Sequence, residues 1–181
     1  MTSDTQSGKR SWPVRIARLL KHRWWDETDA RRVLPSDALD RLQARVADSE
    51  RGHSGEIRVC VEAGLPLSYL WRDASARERS VAMFGKLRVW DTEANNGVLI
   101  YLLLAEHAIE LVVDRGLAHH VDEARWRALV GSLGEALRAG RFEEGLMQTI
   151  AEVDGLLRQH FPLAEGTAAN PNELPDRPHL L

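Results

Sequence analysis

Val98 to Ala105 (VLIYLLLA) is an unbroken apolar run of eight residues. A membrane-spanning helix needs ~20, and no polar position recurs with period two, so the run reads as a β-strand covered on both faces. Its neighbours follow from the lengths of the connections. Ala108 to Val113 forms the next strand, and the link through Ala105, Glu106 and His107 is too short for a crossover, which makes the pair an antiparallel hairpin. Upstream, in EIRVCVE (56–62), Ile57, Val59 and Val61 alternate with Glu56, Arg58, Cys60 and Glu62, the period of a strand with one strongly apolar face. A helix starting near Ser75, with Glu78 in capping-box position and Val81, Phe84 and Leu87 on its apolar face, separates these strands and leaves them free to run parallel. Another helix precedes them, capped by Ser36 or Asp37, with Leu39, Leu42 and Val46 on one side. Two more follow the hairpin, one on Trp126, Leu129, Val130, Leu133 and Leu137, the other on Leu146, Ile150, Val153 and Leu157, with Gly140 as the stop between them. The expected class is α/β, a small mixed sheet flanked by helices.

At 181 residues, 44% apolar and 28% charged, the chain has the composition of one soluble domain with tails. The globular part is expected at 35–161, between a basic segment (1–34) and a tail (162–181) whose four prolines stop any helix and point to disorder. A single cysteine, Cys60, excludes an internal disulfide framework and a Cys-rich zinc site. The net charge of −3 argues against nucleic acid as a partner. That charge is uneven, however: residues 1–35 hold eight Lys or Arg against four Asp or Glu.

The basic excess concentrates in KRSWPVRIARLLKHRWW (9–25), with six cations, no acid and three Trp. Two readings fit an amphipathic helix of this composition. In one it packs on the domain, with Trp as core and cations as a wet face. In the other it lies on an anionic membrane surface, with Trp12, Trp24 and Trp25 at headgroup level and Arg15, Arg18 and Lys21 on lipid phosphate. The segment lacks the long apolar middle and small-residue cleavage site of a secretory signal, so a cytoplasmic protein is expected, peripheral to the inner face of the cell membrane in the second reading.

The candidate site lies at the open end of the hairpin. WDTEANNG (90–97) precedes one strand and Asp114-Arg115 follows the other, so antiparallel pairing should place them side by side. Asp91, Glu93, Asn95, Asn96 and Asp114 then supply oxygen donors of the kind calcium and magnesium prefer, held weakly because the spacing matches no EF-hand. Arg115 offers a guanidinium fork to a phosphate. The competing reading is a solvated Asn-Gly turn. Several catalytic patterns are missing: Cys60 is not followed by a phosphate-cradling arginine, Asp91-Thr92-Glu93 lacks the second aspartate of an Asp-nucleophile phosphatase, and neither G-x-S-x-G nor a P-loop occurs.

The order of elements, together with NNGVL (95–99), IELVVDRGL (109–117) and GRFEEGL (140–146), resembles the TPM domain family over roughly residues 36–161. The resemblance implies a three-layer α/β sandwich. It also implies the properties associated with that family, namely acid phosphatase activity, low-affinity divalent metal binding, and assembly or repair of membrane complexes, and hence a protein partner. Asn95, Asn96 and Gly97 match the family's Asn-Asn-Gly, and Gly140, Phe142 and Gly145 its last turn. Where the family commonly shows Gly-x-Gly, this chain has Asp114-Arg115-Gly116. The chain resembles the soluble bacterial branch that begins with a basic, Trp-containing segment. Two functions are expected from this: a peripheral, non-catalytic or weakly catalytic accessory module, or a divalent-metal-dependent acid phosphatase.

Overall fold

The computed structural model describes residues 11–163 and 175–181. Its centre is a sheet of β1 (Ile57–Glu62), β2 (Val98–Leu103), β3 (Ala108–Val113) and β4 (His179–Leu180), in the order β3-β2-β1-β4. β1 and β2 run parallel over six pairs from Ile57↔Val98, and β2 and β3 form the expected antiparallel hairpin from Val98↔Val113 to Leu103↔Ala108. The hairpin turns through a short 3-10 segment, Leu104–Glu106, closed by His107 in the left-handed region. All six β2 side chains are buried.

Eight helices among the described residues cover the sheet. On one face, α2 (Glu27–Val33), α3 (Ser36–Ser49), α7 (Glu123–Arg138) and α8 (Phe142–His160) bring Ala30, Leu42, Leu133, Leu146 and Ile150 onto Ile57, Val59, Val98 and Ile100. On the other, α4 (Leu67–Trp71) and α5 (Ala76–Lys86) bring Leu70 and Met83 onto Cys60, Leu99 and Tyr101, joined by Leu19 of α1 (Trp12–Arg23). A one-turn helix, α6 (Arg115–Ala118), follows β3. The result is the three-layer α/β sandwich. Capping matches the sequence at α5, where Ser75 and Glu78 form a reciprocal capping box.

The structure departs from the sequence reading in four places. The globular part starts before residue 35, because Ala30 and Leu34 are fully buried in the main core. The tail is not structureless throughout: residues 164–174 lie outside the described residues, but His179–Leu180 pairs with β1. β1 was expected to have one apolar face, and instead all six residues are buried. α5 does not turn Val81 inward; Val81 is 49% exposed while Arg79 and Met83 are buried.

The last two departures have one cause. Glu62 on β1 accepts two bonds from Arg79 Nε, at 2.8 and 3.1 Å, and one from Nη2 at 2.6 Å, and a further bond from the Tyr101 hydroxyl at 2.6 Å. Burial first, then the Glu62 charge, raises the Tyr101 phenol well above its ordinary range, so it stays protonated and donates. A central strand thus carries a carboxylate on its second face because α5 delivers the guanidinium that satisfies it.

Removing one partner should be far worse than removing both. Arg79→Ala should cost ~3–5 kcal/mol by stranding the Glu62 charge, whereas Glu62→Leu with Arg79→Leu should recover most of that loss. Urea midpoints followed by Trp fluorescence measure both.

Candidate functional site

The loops expected to meet at the open end of the hairpin do meet. Asp114 N–H donates to the Gly97 carbonyl at 2.9 Å, and Gly116 N–H donates to the Asn95 carbonyl at 2.8 Å. Two glycines permit this approach for steric reasons. A Cβ on Gly97 would lie 2.0 Å from the Val89 carbonyl oxygen, and one on Gly116 would lie 2.4 Å from that of Asn95. The left-handed turn residue is Asn95, at φ 51°.

Within this knot, side chains divide by burial. Asn96 is fully buried, its N–H donating to Thr92 Oγ1 at 3.1 Å and its amide Nδ2 to Ser54 Oγ at 3.2 Å. Asp114 Oδ1 accepts from Arg115 N–H at 2.7 Å, capping α6. That leaves two buried oxygens, Asn96 Oδ1 and Asp114 Oδ2, with no hydrogen-bond partner in the structure. Asn95 is half-buried, whereas Asp91, Glu93 and Arg115 are exposed. Among the described residues, no three His, Cys, Asp or Glu side chains gather as a metal site would require. Asn96 Oδ1 and Asp114 Oδ2 are oxygen acceptors of the kind a hard ion takes, each standing on a different loop of the knot. Cys60 is buried, and burial followed by the Glu62 charge pushes its thiol up to about 12, so it holds no thiolate for nucleophilic work.

A second feature stands on the opposite edge of the molecule's chemistry: α1 is docked by its polar face. Arg18 Nε donates to Glu106 Oε1 at 2.5 Å, its Nη1 to Asp73 at 3.1 Å and its Nη2 to the Ala74 carbonyl at 2.6 Å. His22 Nδ1 accepts from Leu65 N–H at 2.9 Å, which places the ring proton on Nε2, 2.9 Å from Glu106 Oε1. Facing away are Trp12, Ile16, Leu20 and Trp24, spaced four apart, with Trp12 67% and Trp24 84% exposed. Leu67 and Trp71 of the neighbouring α4 are exposed as well, and Arg15 Nη2 ties the two helices by donating to the Trp71 carbonyl at 2.5 Å.

Of the residues expected on a membrane, Trp12 and Trp24 are exposed, as is Lys21, and Arg15 is half-buried. Arg18 and Trp25 are turned inward. Arg18 is buried because Glu106 and Asp73 neutralise it, and Trp25 packs on the main core and edge-on against His107. Sequence reasoning missed Glu106, Asp73 and Leu67. A lone acid in the turn of an apolar hairpin was the only signal for Glu106, and nothing in its spacing pairs it with α1.

Gly97→Ala and Gly116→Ala should each destabilise the fold by ~1–3 kcal/mol through overpacking, read as lowered urea midpoints. Although burial acts to raise the Glu106 carboxyl, its bonds from His22 and Arg18 hold it down at about 2, below the usual 4.5. A depressed carboxyl stabilises above its unfolded value and loses that contribution as pH falls, so α1 should loosen between about pH 4.5 and 2. Fluorine NMR of labelled Trp12 and Trp24 should report this. Glu106→Gln should loosen α1 at neutral pH and remove the acid transition.

No curated protein matches the chain. Among solved structures, that of the BA42 protein from the psychrophilic bacterium Bizionia argentinensis is similar, with a TM-score of 0.69 and 24% identity over 81% of this chain and 94% of that one. At that identity the likeness concerns the fold. The sequence profile of the TPM domain matches residues 28–156, most of the chain, and the protein therefore belongs to the TPM domain family.

Proposed function

We propose that this TPM domain is a peripheral accessory module that rests on an anionic membrane surface through α1 and α4, at the inner face of the cell membrane, and presents the rest of its surface to a protein partner. The supporting observation is the orientation of α1. An amphipathic helix packed for stability alone turns its apolar stripe inward. This one spends its polar face on Glu106 and Asp73 and leaves Trp12, Ile16, Leu20 and Trp24 in water. Burying such side chains contributes ~1.5–3 kcal/mol each, and each Lys or Arg near an anionic surface adds ~1 kcal/mol, with Lys21 and Arg23 both exposed. No helix among the described residues is long and apolar enough to cross a membrane, so attachment of this kind is interfacial.

Cosedimentation with phosphatidylglycerol vesicles should fall at least about tenfold in Trp12→Ser/Trp24→Ser, a loss of ~1.4 kcal/mol or more, and should weaken as salt screens the cations. Partitioning that neither change affects would end the membrane reading.

The same proposal includes a weakly held calcium or magnesium ion in the loops that meet at the open end of the hairpin, supported by the unpartnered buried Asp114 Oδ2. Amide NMR at millimolar calcium should show shifts confined to residues 92–97 and 114–116. Asp114→Asn keeps a capping oxygen but removes the charge, and should abolish the shifts.

A further inference from the structure

The outer edge of β1 carries an occupied groove. Its inner edge pairs with β2 along the whole strand, while on the outer edge the strand pairing among the described residues is that of His179 and Leu180, parallel to Cys60 and Val61. Leu181 N–H donates to the Val61 carbonyl at 3.0 Å, and Ala63 N–H donates to Leu181 O at 2.7 Å. Side chains alternate as in a bound strand, Leu180 packing on the main core and Leu181 on the second. One step earlier, Arg177 donates to Asp40 on α3 at 2.7 Å, and its own carbonyl accepts from Arg58 Nη1 at 3.3 Å. Pro178 is buried between these contacts. At the far end of the same edge, Glu50 Oε1 accepts the Ile57 N–H at 3.2 Å, which closes that end to pairing.

These contacts are those of a peptide ligand: backbone bonds for affinity, alternate apolar pockets and one charged anchor for specificity. They are also light. Only two residues pair in register, both leucines are half-buried, and the Arg177–Asp40 pair is exposed and solvent-screened. A segment held this way opens without the rest of the sheet.

We propose that the outer edge of β1 is a peptide-binding groove, that residues 177–181 are its resident occupant, and that a protein partner carrying an extended Arg-Pro-x-Leu-Leu segment displaces them. This stands apart from the membrane reading, since the backbone bonds and the charged anchor of the segment run to β1 and α3.

The probe is the labelled peptide of residues 175–181, PDRPHLL, added to the full chain with its own leucines disabled, Leu180→Asp/Leu181→Asp. Fluorescence anisotropy should show saturable binding to this variant. Binding to the unsubstituted chain should be at least about tenfold weaker, because a tethered occupant competes at a roughly millimolar effective concentration. A peptide with both leucines changed to Asp should bind at least about tenfold more weakly to the variant. Asp40→Arg added to the variant should weaken the peptide, and Arg177→Asp in the peptide should restore it. No saturable binding at millimolar peptide, in a variant whose near-UV circular dichroism matches the unsubstituted chain, overturns the proposal. So does binding that ignores both the leucines and the charge swap.

Hydrogen exchange on the unsubstituted chain gives a test free of any folding defect. The Leu181 and Ala63 amides should exchange well ahead of those pairing β1 with β2. Exchange of all of them only through global unfolding would show that the segment is not displaceable.

Discussion

The interior position of β2 governs the rest of the structure. Its six side chains have no solvent-facing side, so the sheet needs strands on both edges and helices on both faces. One of the six is Tyr101, and its hydroxyl needs a partner inside. Glu62 of the adjacent strand fills that role, and a buried carboxylate requires a cation in turn. α5 supplies it with Arg79, and the helix is rotated accordingly, carrying Val81 outward. A single hydroxyl in an apolar strand therefore bears on the orientation of the helix that packs over it.

The same demand recurs where β2 ends. Glu106, in the turn that closes the hairpin, sits under α1 and is kept ionised by Arg18 and His22. Those partners occupy the face of α1 that would otherwise have carried its apolar residues inward. A buried charge that loses its partner costs more than an exposed Trp, because apolar side chains at a surface are common and unpaired buried carboxylates are not. The polar face wins the interior, and the stripe from Trp12 to Trp24 remains outside.

How far the sequence could be read follows from whether a signal was local. The hairpin, the parallel β1–β2 pair, the α5 cap and the meeting of the loop at Asp114–Gly116 with that at Asn95–Gly97 were legible, since each rests on periodicity, loop length or a capping pattern within a few residues. The buried face of α5, which periodicity misassigned, and the docking of α1, which it left open between two readings, turn on ion pairs spanning 17 and 88 residues. Periodicity counts a long cation as surface, and it has no means of seeing the distant acid that brings Arg79 or Arg18 inside. The last residues were misread for a related reason. Proline content forbids a helix, but a two-residue strand leaves almost no pattern, and Leu180 and Leu181 are informative only once the β1 edge is known to be vacant beside them.

In the Asn-Gly stretch the needs of the turn do not account for every side chain. Asn95 takes the left-handed conformation and the two glycines let backbones approach, which is all that a turn asks. Asn96 is not needed for that geometry, yet it is buried completely and bonded on its nitrogen side alone. Asp114 likewise caps α6 with one oxygen and holds the other unpartnered. A turn built only for stability would have little reason to desolvate two oxygens, since each unsatisfied buried acceptor costs ~1–3 kcal/mol. The two loops at the open end of the hairpin thus each carry a desolvated acceptor that the turn geometry does not require.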